Sequence, residues 1–137
     1  MKLSLSSPLA LSLLALAALS SAADAPKPYV RCNVWKKGIP FTQHFVLPLW
    51  LRYSVEAHDI PEGEDVPALC NKLWKELKQF AGSCVVNIDR PHCKANGPTK
   101  LQWDFSVGLG CNTGMVQAAW WDAVKDRMGL IKCVDVT

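Results

Sequence analysis

A strand, a helix and a returning strand are predicted by residues Leu101–Val136, LQWDFSVGLGCNTGMVQAAWWDAVKDRMGLIKCVDV. Apolar and polar side chains alternate in Leu101–Val107, which is the pattern of a strand with one buried face. Asn112 can cap the following helix, and Gly129 can end it in a left-handed conformation. The β-branched stretch Ile131–Val136 predicts the second strand. Together these features predict a right-handed parallel crossover with its helix on one sheet face.

The preceding part of the chain predicts further strands and one more helix. Apolar residues alternate in Tyr29–Trp35 and again in Phe41–Val55, where Pro48 either interrupts one long strand or separates two. Asp65–Gly82 carries an apolar stripe at helical spacing, and Cys84–Ile88 alternates as a strand.

The order of these elements predicts an α+β domain with a ferredoxin-like plan. Asp89–Lys100 is rich in Pro, Gly and Asn and is predicted to be a loop. One extra N-terminal strand is then followed by a β-α-β-β-α-β order, the split β-α-β plan of an antiparallel sheet with both helices on one face. The other face is solvated, covered by the extra strand, or used for binding. The predicted core comprises Leu49, Leu51, Tyr53, Leu73, Leu77, Phe80, Val86, Ile88, Trp103, Phe105, Val116 and Trp120.

Residues 1–23 predict a signal peptide, and residues 24–137 predict a single domain. Lys2 precedes the apolar run Leu9–Leu19, which is too short for a comfortable membrane span, and the small residues of Ser20–Ala23 suit a signal peptidase. No second apolar stretch of the mature chain is long enough to cross a bilayer. We therefore expect a secreted, extracellular protein, with an anchor helix as the weaker alternative.

Six cysteines lie in the predicted mature chain, and an even number in an oxidising compartment predicts three disulfides. In the predicted topology, Cys70 and Cys93 lie at one end of the sheet and Cys84 and Cys111 at the other, while Cys32 and Cys133 lie on strands. This placement favours the bridges Cys70–Cys93, Cys84–Cys111 and Cys32–Cys133. The sequence has no Cys-x-x-Cys pair and no Cys/His spacing typical of zinc, so we predict neither a metal nor a cofactor.

The charge balance argues against a nucleic-acid partner. The chain has 15 Lys and Arg residues against 12 Asp and Glu, and loss of Lys2 with the signal peptide lowers the net charge from +3 to about +2. A nucleic-acid groove would need a larger basic excess on one surface. Nucleic-acid binding is therefore not expected.

The signal peptide, the six cysteines and the element order together resemble small secreted cysteine-rich fungal effectors. The resemblance is to those with the ferredoxin-like fold of virally encoded fungal killer toxins. It covers the whole mature chain but rests on architecture and cysteine usage, so it assigns no functional residue. It implies a toxin-like protein of fungal origin that binds a host or competitor partner, in virulence or in antagonism of other microbes.

A ribonuclease is the main enzymatic alternative. Glu56 and His58 are two residues apart, as are Arg90 and His92, and this spacing places side chains on one face of a strand. A base, an acid and a cation for the phosphate are what a secreted ribonuclease needs. Both pairs occupy predicted loop positions, where His is usually an ordinary surface residue. We therefore predict no catalytic residue and expect a non-enzymatic protein.

Tryptophan usage supplies the candidate binding residues, because six Trp are more than the predicted core needs. Trp50 and Arg52 point away from the helices if their strand is regular, and Trp121 lies off the apolar centre of its helix. Trp and Arg are common anchors at binding hot spots, so these three residues form the predicted site for a protein or glycan partner. The alternative is that the N-terminal strand or the lead-in covers Trp50. A protease inhibitor or a carbohydrate-binding module is a third function, and we expect a monomer.

Overall fold

The structure, a computed structural model, describes residues 26–125 and 127–137, so the predicted signal peptide lies outside the described residues. The elements follow in the order β1 (Tyr29–Thr42), β2 (Phe45–His58), α1 (Val66–Leu77), β3 (His92–Ala95), β4 (Leu101–Gly108), α2 (Thr113–Val124) and β5 (Cys133–Asp135). The 3₁₀ turn Lys78–Phe80 extends α1.

All five strands form one mixed sheet in the spatial order β3-β4-β2-β1-β5. Neighbouring strands are antiparallel except β1 and β5, which pair in parallel with Cys32 opposite Cys133. It follows that β4 and β5 run in the same direction, as the sequence of this region predicts. The connection through α2 spans two intervening strands, β2 and β1.

The α+β class is confirmed, whereas the ferredoxin-like strand order is not. The extra N-terminal strand lies inside the sheet, between β2 and β5, and pairs along nearly the whole length of β2. The cause is the turn at Gln43–His44, because two long strands joined by a two-residue turn are natural partners. The last strand must then pair with β1 and cannot reach β2.

The edge of the sheet also differs from the prediction. Cys84–Ile88 is joined to β4 by a single bridge, and β3 occupies part of the segment predicted as a loop. Between them, residues 87–91 bulge out of register, and Arg90 in this bulge has a positive φ of 45°. Ile88 is fully exposed on the bulge, so its predicted place in the core is wrong.

The core lies between one face of the sheet and the two helices. It combines odd-numbered residues of β2 and β4 with the apolar stripes of α1 and α2. Tyr53, Leu73, Leu77, Trp103, Phe105, Val116 and Trp120 are buried as predicted, and Leu51, Phe80 and Val86 are half-buried. Leu49 is exposed, because its part of β2 extends beyond the end of β4, and its predicted core position is wrong.

The three predicted disulfides are confirmed, as Cys32–Cys133, Cys70–Cys93 and Cys84–Cys111. The first joins β1 directly to β5, the second joins α1 to the edge strand β3, and the third ties the chain after α1 to the chain before α2. Each helix is therefore anchored covalently at or near one end. No cysteine within the described part of the chain is free.

Candidate binding surface

The sheet face opposite the helices, called the polar face below, is lined by polar side chains of β2 and β4. They are Arg52, Ser54, Glu56, Gln102, Asp104 and Ser106. Gln102 Nε2 donates a hydrogen bond to Ser54 Oγ over 2.9 Å and another to Asp104 Oδ1 over 2.7 Å. The side chains thus form a connected network across the two central strands.

Trp50 lies at one end of the polar face, with Lys37 opposite on β1 and Gly108 opposite on β4. Its ring is half-buried, and its Nε1 is buried with no hydrogen-bond acceptor among the described residues. The strand that contains Tyr29–Trp35 pairs alongside β2 and does not lie across its face. Trp50 is therefore on the predicted face, but it is less accessible than a free surface ring.

Arg52 lies on the same face and is bound within the chain. Its Nη1 donates to the Asp89 carbonyl and, over 3.1 Å, to Ser106 Oγ, while Nη2 donates to the Arg90 carbonyl over 3.2 Å. Ser106 Oγ in turn donates to Asp89 Oδ2 over 3.0 Å. The Arg52 side chain is only 14% exposed. It holds the bulge of residues 87–91 against the sheet and is not a free anchor for a partner.

Trp121 lies away from the other two predicted binding residues. It is exposed on the outer side of α2, whereas its neighbour Trp120 is buried against the sheet. Because α2 covers the face opposite to the polar face, the structure does not bring Trp121 together with Trp50.

The two histidines near the polar face form separate pairs with carboxylates. His58 Nε2 lies 3.3 Å from Glu56 Oε2, and the His58 ring stacks on Tyr29 with ring centroids 4.7 Å apart. His92 Nε2 lies 2.9 Å from Asp104 Oδ2. Each carboxylate can orient its imidazole, and an oriented imidazole can act as a general acid or base toward a substrate within hydrogen-bond reach.

The two imidazoles lie on strands that are not neighbours, His58 on β2 and His92 on β3, whereas the two carboxylates lie on the neighbouring strands β2 and β4. Glu56 lies opposite Gln102 on β4, and His92 lies on β3 beyond it, so two strand spacings, about 10 Å, separate their backbones. The side chain of Arg90 is almost fully exposed, and its nearest ion pair is with Asp89 at 3.9 Å. The arrangement does not gather a base, an acid and a cation around one phosphate.

A second surface, which the sequence reasoning missed, is the end of the β1–β2 hairpin. β4 pairs with β2 only in the range Trp50–Ala57, and β5 pairs with β1 only in the range Cys32–Val34. Residues 38–49, called the hairpin tip below, therefore project as two strands with no third strand beside them.

The hairpin tip exposes six large apolar side chains, each between 41% and 75% exposed: Ile39, Phe41, Phe45, Val46, Leu47 and Leu49. Ile39 and Leu47 are cross-strand partners and share one face, whereas Val46, next to Leu47 in sequence, lies on the other. Phe41 and Phe45 meet edge to face beside the turn, with ring centroids 6.2 Å apart. The tip is apolar on both of its faces.

Two prolines shape the hairpin tip, one on each strand. The pairing shifts register beside Pro40 on β1 and opposite Pro48 on β2. Gly38 lies opposite Pro48, and a Cβ at this position would overlap the carbonyl oxygen of Leu47. Only glycine allows the two backbones to approach so closely here.

The base of the hairpin tip is cationic. The sequence has no Asp or Glu between Asn33 and Val55, while Lys36 and Lys37 precede the tip directly. Lys36 Nζ lies 3.5 Å from Asp135 Oδ2. Hydrogen bonds from Thr137, and secondarily Lys36, hold the pKa of this carboxyl below its ordinary value. Lys37 forms no ion pair with any residue that the structure describes.

No helix within residues 26–125 and 127–137 is both long and apolar enough to cross a bilayer. Over the same residues, no group of three or more His, Cys, Asp or Glu side chains is placed to hold a metal ion.

Comparisons with known proteins add nothing to these observations. No family model, curated protein or solved structure matches the chain. The resemblance to fungal effectors therefore stays a prediction.

Proposed function

We propose that this protein is a secreted, non-enzymatic effector or toxin-like protein of fungal origin. It acts by binding a partner on a host or competitor cell, and the hairpin tip, with Trp50 beside its base, is the binding surface.

The observation that carries this proposal is the exposure of six large apolar side chains on one projecting element. Soluble monomeric proteins rarely concentrate this many exposed large apolar side chains on one element unless that element binds something. The core and the three disulfides lie outside residues 38–49, so the fold does not require these side chains for its own packing.

Two further features support the proposal. Three disulfides suit an oxidising extracellular environment, where a domain of this size gains stability from them. After β1, the order of elements along the chain is β2-α1-β3-β4-α2-β5, which is the order of the ferredoxin-like plan, although the spatial order of the strands differs.

A ribonuclease is the second candidate, because the polar face holds two imidazole–carboxylate pairs, Glu56–His58 and Asp104–His92. The two histidines lie on strands separated by β4, which weakens this alternative. A ribonuclease would hydrolyse single-stranded RNA, and His92→Ala would abolish that hydrolysis.

Capture by the immobilised, oxidised protein from plant and yeast cell-surface extracts tests the binding proposal. Phe41 in the hairpin tip and Leu130, far from it in the sequence, are both 75% exposed, so Leu130→Ser is a matched control for Phe41→Ser. We expect the wild-type protein and Leu130→Ser to retain the same partner and Phe41→Ser to lose it. Equal retention by all three proteins would contradict the proposal.

A further inference from the structure

We infer that the hairpin tip binds the surface of a bilayer that contains anionic phospholipids. This inference rests on the proposed function, because it names the partner of the same surface. Four properties of the tip support it: its two apolar faces, its length, its prolines and the charge at its base.

The two apolar faces favour lipid over a protein groove. A groove on a protein buries one face of a hairpin and leaves the other in water. Ile39 and Leu47 occupy one face of the tip and Val46 the other, and all three are exposed. Only a medium that surrounds the tip removes both faces from water, and acyl chains do so without a matching shape.

The length of the tip suits insertion into one leaflet. The five residues of Gly38–Thr42 span about 16 Å at strand geometry. Interfacial elements bury their apolar surface about 5–10 Å deep at the boundary of headgroups and acyl chains. The tip can reach this depth while the sheet stays in water. Its outer strand edges carry unpaired backbone groups, which oppose deeper insertion.

The prolines argue against a second copy of this chain as the occupant. Free strand edges usually attract another strand, and proline or a bulge on the edge blocks such pairing. The tip has Pro40 on one edge and Pro48 on the other, each at a shift of register.

The charge at the base selects anionic headgroups. Lys36 and Lys37 lie where the tip leaves the sheet, which is the level of the headgroups when the tip is inserted. No acidic residue lies between Asn33 and Val55 to repel the anionic headgroups. A Lys close to an anionic surface strengthens binding about fivefold. Lys37 contributes most, because Lys36 already pairs with Asp135.

Co-sedimentation with vesicles tests the inference. The oxidised protein is mixed with vesicles of phosphatidylcholine and phosphatidylserine, or of phosphatidylcholine alone. We expect stronger binding to the mixed vesicles, weakened by salt. Phe41→Ser should weaken it about tenfold and Lys37→Gln about fivefold. The matched controls Leu130→Ser and Lys72→Gln, both exposed outside the hairpin tip, should bind as the wild type does.

Each other outcome overturns the inference. The inference is refuted if the protein does not sediment with the mixed vesicles. It is also refuted if Phe41→Ser and Leu130→Ser weaken vesicle binding equally. A dimer in solution that Phe41→Ser dissociates would assign the tip to a second copy. If vesicles do not bind, but the extract experiment shows a protein partner that only Phe41→Ser loses, lipid is the wrong partner and the proposed binding function stands. Failure of both experiments refutes both.

Discussion

Replacement of Arg52 by Met distinguishes a structural clamp from a binding anchor. Met keeps most of the apolar stem and removes the guanidinium, so the bonds to the Asp89 and Arg90 carbonyls and to Ser106 are lost together. A hydrogen bond to a charged group contributes about 1.5–3 kcal/mol, but bonds made by one group are not additive. The ion pair with Asp89, at 3.9 Å and partly exposed, adds little. We expect a total loss of about 3 kcal/mol.

Urea denaturation of the oxidised protein measures this loss. With a slope of about 2 kcal/mol per molar urea, a loss of about 3 kcal/mol lowers the midpoint by roughly 1.5 M. Arg31→Met is the matched control, because Arg31 is exposed on β1, so the denaturation midpoint of this variant should barely change. Amide exchange in residues 87–90 should also accelerate in Arg52→Met.

Equal midpoints for Arg52→Met and Arg31→Met would refute the clamp. If Arg52→Met also lost partner capture while it remained as stable as the wild type, Arg52 would be the binding anchor that the sequence predicts. Arg52→Met could also lose both stability and partner capture. If capture returned at low temperature, where the variant is folded, Arg52 would still have a structural role.

Three further predictions concern the disulfides, the core and the histidines. Cys32→Ser/Cys133→Ser should lower the free energy of unfolding by about 5 kcal/mol in the chain-entropy model, as measured by urea denaturation, because the bridge spans 101 residues. Burial raises the pKa of Tyr53 to about 12, so above about pH 10 the unfolded chain loses this proton first. Stability should therefore fall by about 1.4 kcal/mol per pH unit until about pH 12, and Tyr53→Phe should remove this slope in rapid alkaline unfolding. His58→Ala and His92→Ala should leave partner capture unchanged, and loss of capture in either folded variant would revive a role for the polar face.

Local patterns in the sequence predicted the elements and the disulfides well. Asp65 caps α1 by accepting a hydrogen bond from the Ala68 amide over 3.1 Å, as residues of its type do at helix starts. The pairing of all six cysteines was correct although the predicted strand order was wrong. The pairing depends on which ends of helices and strands lie close together. The insertion of β1 between β2 and β5 does not move the chain ends that carry Cys70 and Cys93, or Cys84 and Cys111, apart.

The remaining errors arise where two long-range arrangements fit the same pattern. The alternation in Cys84–Ile88 suits a strand, but the clamp by Arg52 and the positive φ of Arg90 hold the following residues in a bulge. Similarly, alternation assigns Leu49 to the core, because a period of two cannot show where the neighbouring strand β4 ends. The sequence did contain a signal for the hairpin tip, namely a stretch with apolar residues on both faces and no acidic residue.

The bridge between Cys32 and Cys133 places a condition on how the protein is made. Its two cysteines are 101 residues apart, and the other four cysteines are synthesised between them. Cys32 is the first of the six cysteines to be synthesised and its partner is the last, so oxidation of Cys32 before Cys133 emerges joins it to a wrong cysteine, such as Cys70. The native pairing then requires thiol–disulfide exchange after synthesis is complete. The yield of correctly folded protein in any expression host should consequently rise with the activity of its disulfide isomerase.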